Sequence, residues 1–298
     1  MRILTRADVD GLASSVLLTL VEHITGIDLA HPKDVQDGKV PVTPEHIIVN
    51  LPYHPDCGLW FDHHVSEQAK LKDIGRFRGA FRGAPSCARI IYEHYQSPKF
   101  EPHADMVDAT DRLDSAQLTL EDITHPQDFI LLGLTIDPRT ASGPDFERYF
   151  RWLVEYIKEL PLDKVLQHRE VKRRCDRVLQ EQEAFKDILR QRSRVDGNVV
   201  ISDLRGVERL PAGNRFLVFT LYPQAEVEVR LFEGPDDRVV LAAGHNIFNR
   251  TSKVSCGELL ARYGGGGHFG AGTCQVPADR IDRVLAEVVE VFRKNEPL

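Results

Sequence analysis

Asp8 and Asp10, in Thr5-Arg6-Ala7-Asp8-Val9-Asp10-Gly11, follow an apolar run at 1–4 and open a helix-like stretch at 11–25. Alternate carboxylates on extended chain point to opposite sides, so a tight turn must bring both towards one ion. On its own, Asp-x-Asp-Gly reads more simply as a turn and helix cap. Asp62-His63-His64 changes that reading, because it directly follows the apolar pair Trp60-Phe61. A carboxylate and two imidazoles at the end of a buried strand are costly to desolvate unless they share a cation or a phosphate. Such a mixed oxygen and nitrogen set suits Mn²⁺ or Mg²⁺, and imidazole favours the former.

A second constellation lies near the C-terminus, Tyr263-Gly264-Gly265-Gly266-Gly267-His268-Phe269-Gly270. Glycines at this density permit positive φ and let successive N–H groups of Gly265, Gly266 and Gly267 face one anion. Leu259-Leu260 before it and Cys274-Gln275-Val276 after it make a packed loop the better reading than a linker. No Lys-Ser/Thr pair follows the glycines, so a phosphate-binding loop of the ATP-hydrolysing kind is disfavoured.

The elements that must hold these groups alternate. Apolar runs at 1–4, 46–49 and 58–61 each stop at polar residues, and helix-like stretches lie at 11–25, 86–95 and 146–159. This order implies an α/β fold with a doubly wound, largely parallel sheet, whose ligands sit beyond the carboxyl ends of the strands. A charged helical stretch at 163–194 carries one sparse apolar stripe. It reads as a connector between domains, with a pairing face for a homodimer as the alternative. Strands at 198–201, 216–219, 226–231 and 239–243, then helices at 256–263 and 281–294, imply a second, smaller α+β domain. The expected division is 1–162, a linker helix at 163–195, and 196–298.

The bulk numbers narrow the partners. The 298 residues suffice for two domains, and a net charge of −7 argues against long duplex nucleic acid while leaving room for a small phosphorylated ligand. No apolar run reaches membrane length and no signal peptide is visible, so a cytoplasmic protein without membrane contact is expected. Five scattered cysteines without a CxxC pair suggest neither a disulfide scaffold nor a zinc knot.

Asp-x-Asp-Gly after the first strand, Asp62-His63-His64 after a later one and Gly264-Gly265-Gly266-Gly267-His268 near the end together resemble the DHH phosphoesterase superfamily with its associated C-terminal domain. The resemblance covers essentially the whole chain and is nearest to bacterial proteins called exopolyphosphatase-related. It implies that Asp8 binds a first metal, Asp10 and His63 a second, and that His64 lies near the substrate phosphate while Asp62 orients the histidines. A further acidic ligand falls in 106–114, with Asp111 expected and Asp108 and Asp114 as alternatives. Arg250, Ser252, the glycines and His268 would hold the distal part of the substrate.

Two positions depart from that pattern. Arg6 stands where related enzymes often place a histidine or aspartate ligand, and arginine stays protonated. Asn50 ends the strand at which a bridging aspartate is usual. The expectation is therefore a metal-dependent phosphoesterase acting on a dinucleotide, a very short RNA or a similar small substrate, with one or two ions. Arg6 would replace the first cation and bind phosphate beside Asp8. The alternative is a catalytically degenerate phosphate-ligand sensor or scaffold.

Overall fold

The computed structural model of the chain describes residues 1–64, 67, 71–137, 143–211 and 213–298. They form two compact units, Met1–Leu118 with Pro126–Arg177, and Thr119–His125 with Val178–Leu298.

The first unit is built on β1 (Arg2–Thr5), β2 (Gly26–Leu29), β3 (His46–Val49), β4 (Leu59–Asp62) and β5 (Gly79–Phe81). They pair in parallel in the order β2-β1-β3-β4-β5. Their side chains alternate between two buried faces, which is why the central strands read as continuous apolar runs. Ile3, Ile47, Val49 and Phe61 pack with α1 (Val9–Val21), α2 (Cys87–Tyr95), α3 (Ala104–Asp114) and α4 (Pro144–Glu159). Leu4, Ile48 and Trp60 pack the other way, with Val35, Leu51, Tyr53, Phe77 and Phe81. The edge strands β2 and β5 are three or four residues long and carry no apolar run that sequence periodicity can detect.

The strand order reverses between β1 and β3. Loops leaving neighbouring strands on opposite sides of such a switch point open a crevice at the strand ends. Asp8 follows β1 and Asn50 follows β3, so the topology itself brings these distant residues together.

The helical stretch expected at 163–194 is broken at His168, whose extended backbone ends a helix at Leu162–Gln167 before α5 (Arg169–Arg192) begins. The second unit then adds β6 (Ser193–Asp196), β7 (Val199–Asp203), α6 (Leu217–Leu221), β8 (Val227–Glu233), β9 (Arg238–His245), α7 (Cys256–Ala261), β10 (Gly266–His268), β11 (Ala271–Pro277) and α8 (Ile281–Lys294). Its mixed sheet runs β10-β11-β9-β8-β7-β6, with only β7 and β8 parallel. The strand expected at 216–219 is instead the helix α6, with Leu217, Val218 and Phe219 all buried. A short run buried on every side has no period to separate strand from helix.

His103 caps the N-terminal side of α3 and is only 7% exposed, and burial holds its imidazole below the usual 6.5. Above 6.5 the ring is neutral whether folded or unfolded, and it contributes no pH dependence. As pH falls through 6.5 the unfolded chain takes the proton first, so stability drops. Groups shared by both proteins cancel in the comparison, so between about pH 7.5 and pH 5.5 the urea midpoint of the wild type is expected to drop relative to that of His103→Gln. A constant difference between the two midpoints would show that other groups carry the acid sensitivity.

Candidate metal and phosphate site

The turn after β1 is shaped by Gly11. A Cβ there would lie 2.0 Å from the Arg6 carbonyl oxygen, so only glycine lets the chain fold back so closely. Asp8 caps α1, its Oδ1 accepting from Gly11 N at 2.9 Å and from Asn50 Nδ2 at 2.9 Å. Its Oδ2 faces Arg6 Nε at 3.1 Å. The left-handed backbone of Asn50, φ 55°, aims the amide back across the switch point, and its buried Oδ1 has no hydrogen-bond partner.

Asp10 points the other way, into the start of α2. Its two oxygens accept from Cys87 N and Ala88 N, each at 2.8 Å, and the side chain is fully buried. Burial, then the charge of Asp8, pushes its carboxyl up to about 7 against the pull of those two N–H groups. Asp114, at the end of α3, is likewise raised to about 7, by burial first and then by Asp10 and Asp8. Three carboxylates crowd one another here.

His63 lies among them. Its Nδ1 is 3.0 Å from the Ala84 carbonyl, which can only accept, so Nδ1 carries the proton. In the neutral ring Nε2 then presents a bare lone pair. It stands 3.5 Å from Asp10 Oδ2 and 3.3 Å from Asp114 Oδ2, buried and without a hydrogen bond. A lone pair facing two carboxylates is repulsive unless a cation or a shared proton lies among them, and a histidine oriented through its other nitrogen is the usual form of a metal ligand. One ligating atom from each of Asp10, His63 and Asp114 falls within 4.8 Å of the others. The donor set, one imidazole nitrogen and two carboxylates, fits Mn²⁺ and also Mg²⁺.

His64 differs from its neighbour. Its Nδ1 hydrogen-bonds Asp62 Oδ1 at 2.7 Å, and the ring is about one-third exposed, at 34% of its side-chain surface. Burial pulls its pKa down, but the bond and charge of Asp62, helped by Asp114 and Asp10, outweigh that and raise it to about 9. The ring is thus an imidazolium at neutral pH, with Nε2 left for a ligand. Asp62 is fully buried, and its second oxygen has no partner.

The structure therefore brings Arg6, Asp8, Asp10, Asp62, His63 and His64 into one cluster at the strand ends. Asp111 is not with them. Its Oδ1 accepts from Ser86 Oγ at 2.5 Å and its Oδ2 from Arg89 Nε at 2.7 Å, while Arg89 also pairs with Asp108. The carboxylate facing His63 is that of Asp114, one turn further along α3. His54 takes the Asp56 N–H at 3.3 Å within its own turn.

Arg250, Ser252, Gly265, Gly266, Gly267 and His268 belong to the second unit. The glycine segment, expected as a packed loop whose N–H groups face an anion, is in part the edge strand β10, where Gly266, Gly267 and His268 pair with Thr273, Gly272 and Ala271. Its glycine content has a packing cause. A Cβ on Gly267 would meet the Ala271 oxygen at 2.3 Å, and one on Gly257 would meet the Gly267 oxygen at 2.4 Å, so α7 and the hairpin touch backbone to backbone. Arg250 adopts φ 37°, a strained value for a long side chain, and the buried Ser252 Oγ has no partner.

No protein-family model matches the chain, and no curated protein is significantly similar to it. Among solved structures, the pGpG-specific phosphodiesterase PggH of Vibrio cholerae is 36% identical over 99% of both chains, with a TM-score of 0.86. A DHH-domain protein described as a member of the s1p family of ribosomal proteins is 16% identical, with a TM-score of 0.54 over 98% of this chain and 86% of its own, a likeness of fold. With the Asp62-His63-His64 strand end, the flanking aspartates and this whole-length relative, the chain belongs to the DHH phosphoesterase superfamily.

Proposed function

We propose that the chain hydrolyses a linear 5′-phosphorylated dinucleotide such as pGpG, using one divalent cation, Mn²⁺ or Mg²⁺, held by Asp10, His63 and Asp114. The chain is a phosphoesterase by family. The observation that carries the cation is the orphaned His63 Nε2 aimed at two carboxylates. The substrate class is supported by the specificity of the relative that matches 99% of the chain, and a cytoplasmic location would suit it.

When bound, the ion supplies Lewis acidity and a nucleophilic water at neutral pH. The residues of the chain do the rest. The His64 imidazolium, held through Nδ1 by Asp62, donates from Nε2 to a phosphate oxygen as negative charge builds. Arg6 keeps Nε on Asp8 and, with 40% of its side chain exposed, turns its outer N–H groups to the phosphate. Its guanidinium occupies the place of a cation beside Asp8, and Asn50 holds the other Asp8 oxygen without adding charge.

Mn²⁺-dependent release of GMP from pGpG tests the activity. Saturable binding without turnover in either metal would favour the non-catalytic sensor. Elemental analysis after Mn²⁺ loading should find one tightly held ion per chain, rising towards two in Arg6→His. Two ions in the wild type would contradict the role given to Arg6.

A further inference from the structure

The stretch Arg169–Arg177, which opens α5, holds five basic residues against two acidic ones, a surplus of three on a chain of net charge −7. Part of that surplus lines a cavity of about 410 Å³ in the first unit. Glu170, Arg173 and Arg174 line it from α5, and Arg148, Tyr149 and Trp152 from α4. Spacings of three and four residues put each set on one face of its helix. None of the residues gathered at the strand ends takes part in this lining.

Arg174 is held from two sides. Its guanidinium lies 4.0 Å over the centre of the Tyr149 ring, and its Nε donates to Glu170 Oε1 at 2.8 Å. Tyr149 is buried, with its hydroxyl 3.1 Å from Thr135 Oγ1, so the ring beneath the guanidinium is itself fixed. The same Glu170 carboxylate takes Arg173, through Nε at 3.1 Å and Nη2 at 2.8 Å. One carboxylate therefore serves two guanidiniums, while Arg148 pairs with Asp145. The lining keeps three cations against two anions. Each guanidinium has five N–H donors and uses one or two on these carboxylates.

Planar donor forks around a net positive cavity, one of them immobilised in advance, match the geometry and charge of a phosphate. A phosphate ion displaces no more than a few waters, at about 30 Å³ each, and so fills only part of the cavity. The half-buried Trp152, stacked on Tyr156 at 4.6 Å, supplies an aromatic wall for the rest of a ligand. We infer that this groove between α4 and α5 is a second ligand site, distinct from the hydrolytic one, for a small organic phosphate monoester. Arg148, Arg173 and Arg174 take its phosphate, and its organic part lies against Trp152. A nucleoside monophosphate, the product class of the reaction proposed above, has this chemistry, but the site stands without that reading.

Trp152 reports on the site directly, because the chain's other tryptophan, Trp60, is fully buried among Tyr53, Phe77 and Phe81. In the full-length chain with Mg²⁺, GMP and ribose 5-phosphate should change tryptophan emission saturably, and guanosine should not. Inorganic phosphate should reverse the change only at higher concentration. Trp152→Phe should abolish the response. Arg148→Gln combined with Arg173→Gln should weaken GMP binding by about tenfold or more, since losing one charge-assisted contact is worth at least that ratio. Both side chains are exposed, at 69% and 62%, so the double variant should fold, and its initial rate on pGpG should stay within about twofold. The double lysine variant, which keeps charge without the planar fork, should bind with intermediate affinity. Absence of a saturable response would overturn the inference, as would an unchanged affinity in the glutamine variant or a response that survives Trp152→Phe. Guanosine acting like GMP, or inorganic phosphate binding as tightly, would refute the organic phosphate as ligand. A wild type that never cleaves pGpG would defeat the hydrolase reading alone, and the emission titrations would still decide this site.

Discussion

Asp114→Asn is expected to lose tight Mn²⁺ binding and to lower turnover by more than ~100-fold, since removing even an outer partner of a metal ligand costs about 10–100-fold. The reason is local. Asp114 Oδ2 lies 3.3 Å from the bare Nε2 of His63, and no other carboxylate of α3 faces that ring. Asp111→Asn should behave in the opposite way. Its carboxylate binds Ser86 and Arg89 and holds α3 against the start of α2, whose N–H groups fix Asp10. Losing the charge-assisted bonds should cost about 1–3 kcal/mol of stability while leaving turnover within a few-fold. Calorimetric titration of Mn²⁺ into both variants, with urea melts beside it, separates the two roles. Metal binding lost in Asp111→Asn and kept in Asp114→Asn would refute the assignment.

The largest stability effect is expected at Trp60. It is fully buried between Tyr53, Phe77 and Phe81, with ring centroids 5.0–5.2 Å away for Phe77, Phe81 and Tyr53, and its Nε1 donates to the Leu51 carbonyl at 3.0 Å. Trp60→Ala should destabilise the first unit by about 3–5 kcal/mol through lost burial and the cavity left behind, lowering its melting temperature by roughly 10 °C. The loss would reach the site through the chain itself. Leu51 follows Asn50, and Asp62 lies two residues beyond Trp60 on β4. Trp60→Phe preserves much of the packing but leaves the Leu51 carbonyl without its donor. Both variants lose that bond, so the difference between them isolates the packing of the ring, and the loss in Trp60→Phe against the wild type bounds the hydrogen bond together with the smaller volume. A Trp60→Ala protein melting within a degree or two of the wild type would show that the aromatic cluster does not carry the unit.

Most of the architecture was legible because burial on both faces writes itself into sequence. Ile47-Ile48-Val49 and Leu59-Trp60-Phe61, alternating with helix-like stretches, read as interior strands and are, with the polar residues directly after them at their carboxyl ends. Elements without such a run escaped, as the edge strands β2 and β5 show. The start of α6 was misread as a strand, because its three consecutive buried residues Leu217, Val218 and Phe219 show no polar side to reveal a period. The glycine segment was recognised as special, yet its pairing as β10 depends on Gly272 and Gly257 approaching from elsewhere in the chain.

By itself the sequence determined which residue types could bind a cation and a phosphate and that they follow strands, and the family resemblance singled out Arg6 and Asn50 as departures from its pattern. Only the tertiary structure decided which of Asp108, Asp111 and Asp114 joins them. The three recur at intervals of three along one helix and so share a stripe, and spacing cannot rank them. Arg89, brought in on a different helix, neutralises the first two, and the position of His63 leaves the third to face its lone pair. Charge pairing across elements is set by packing, which local sequence does not encode.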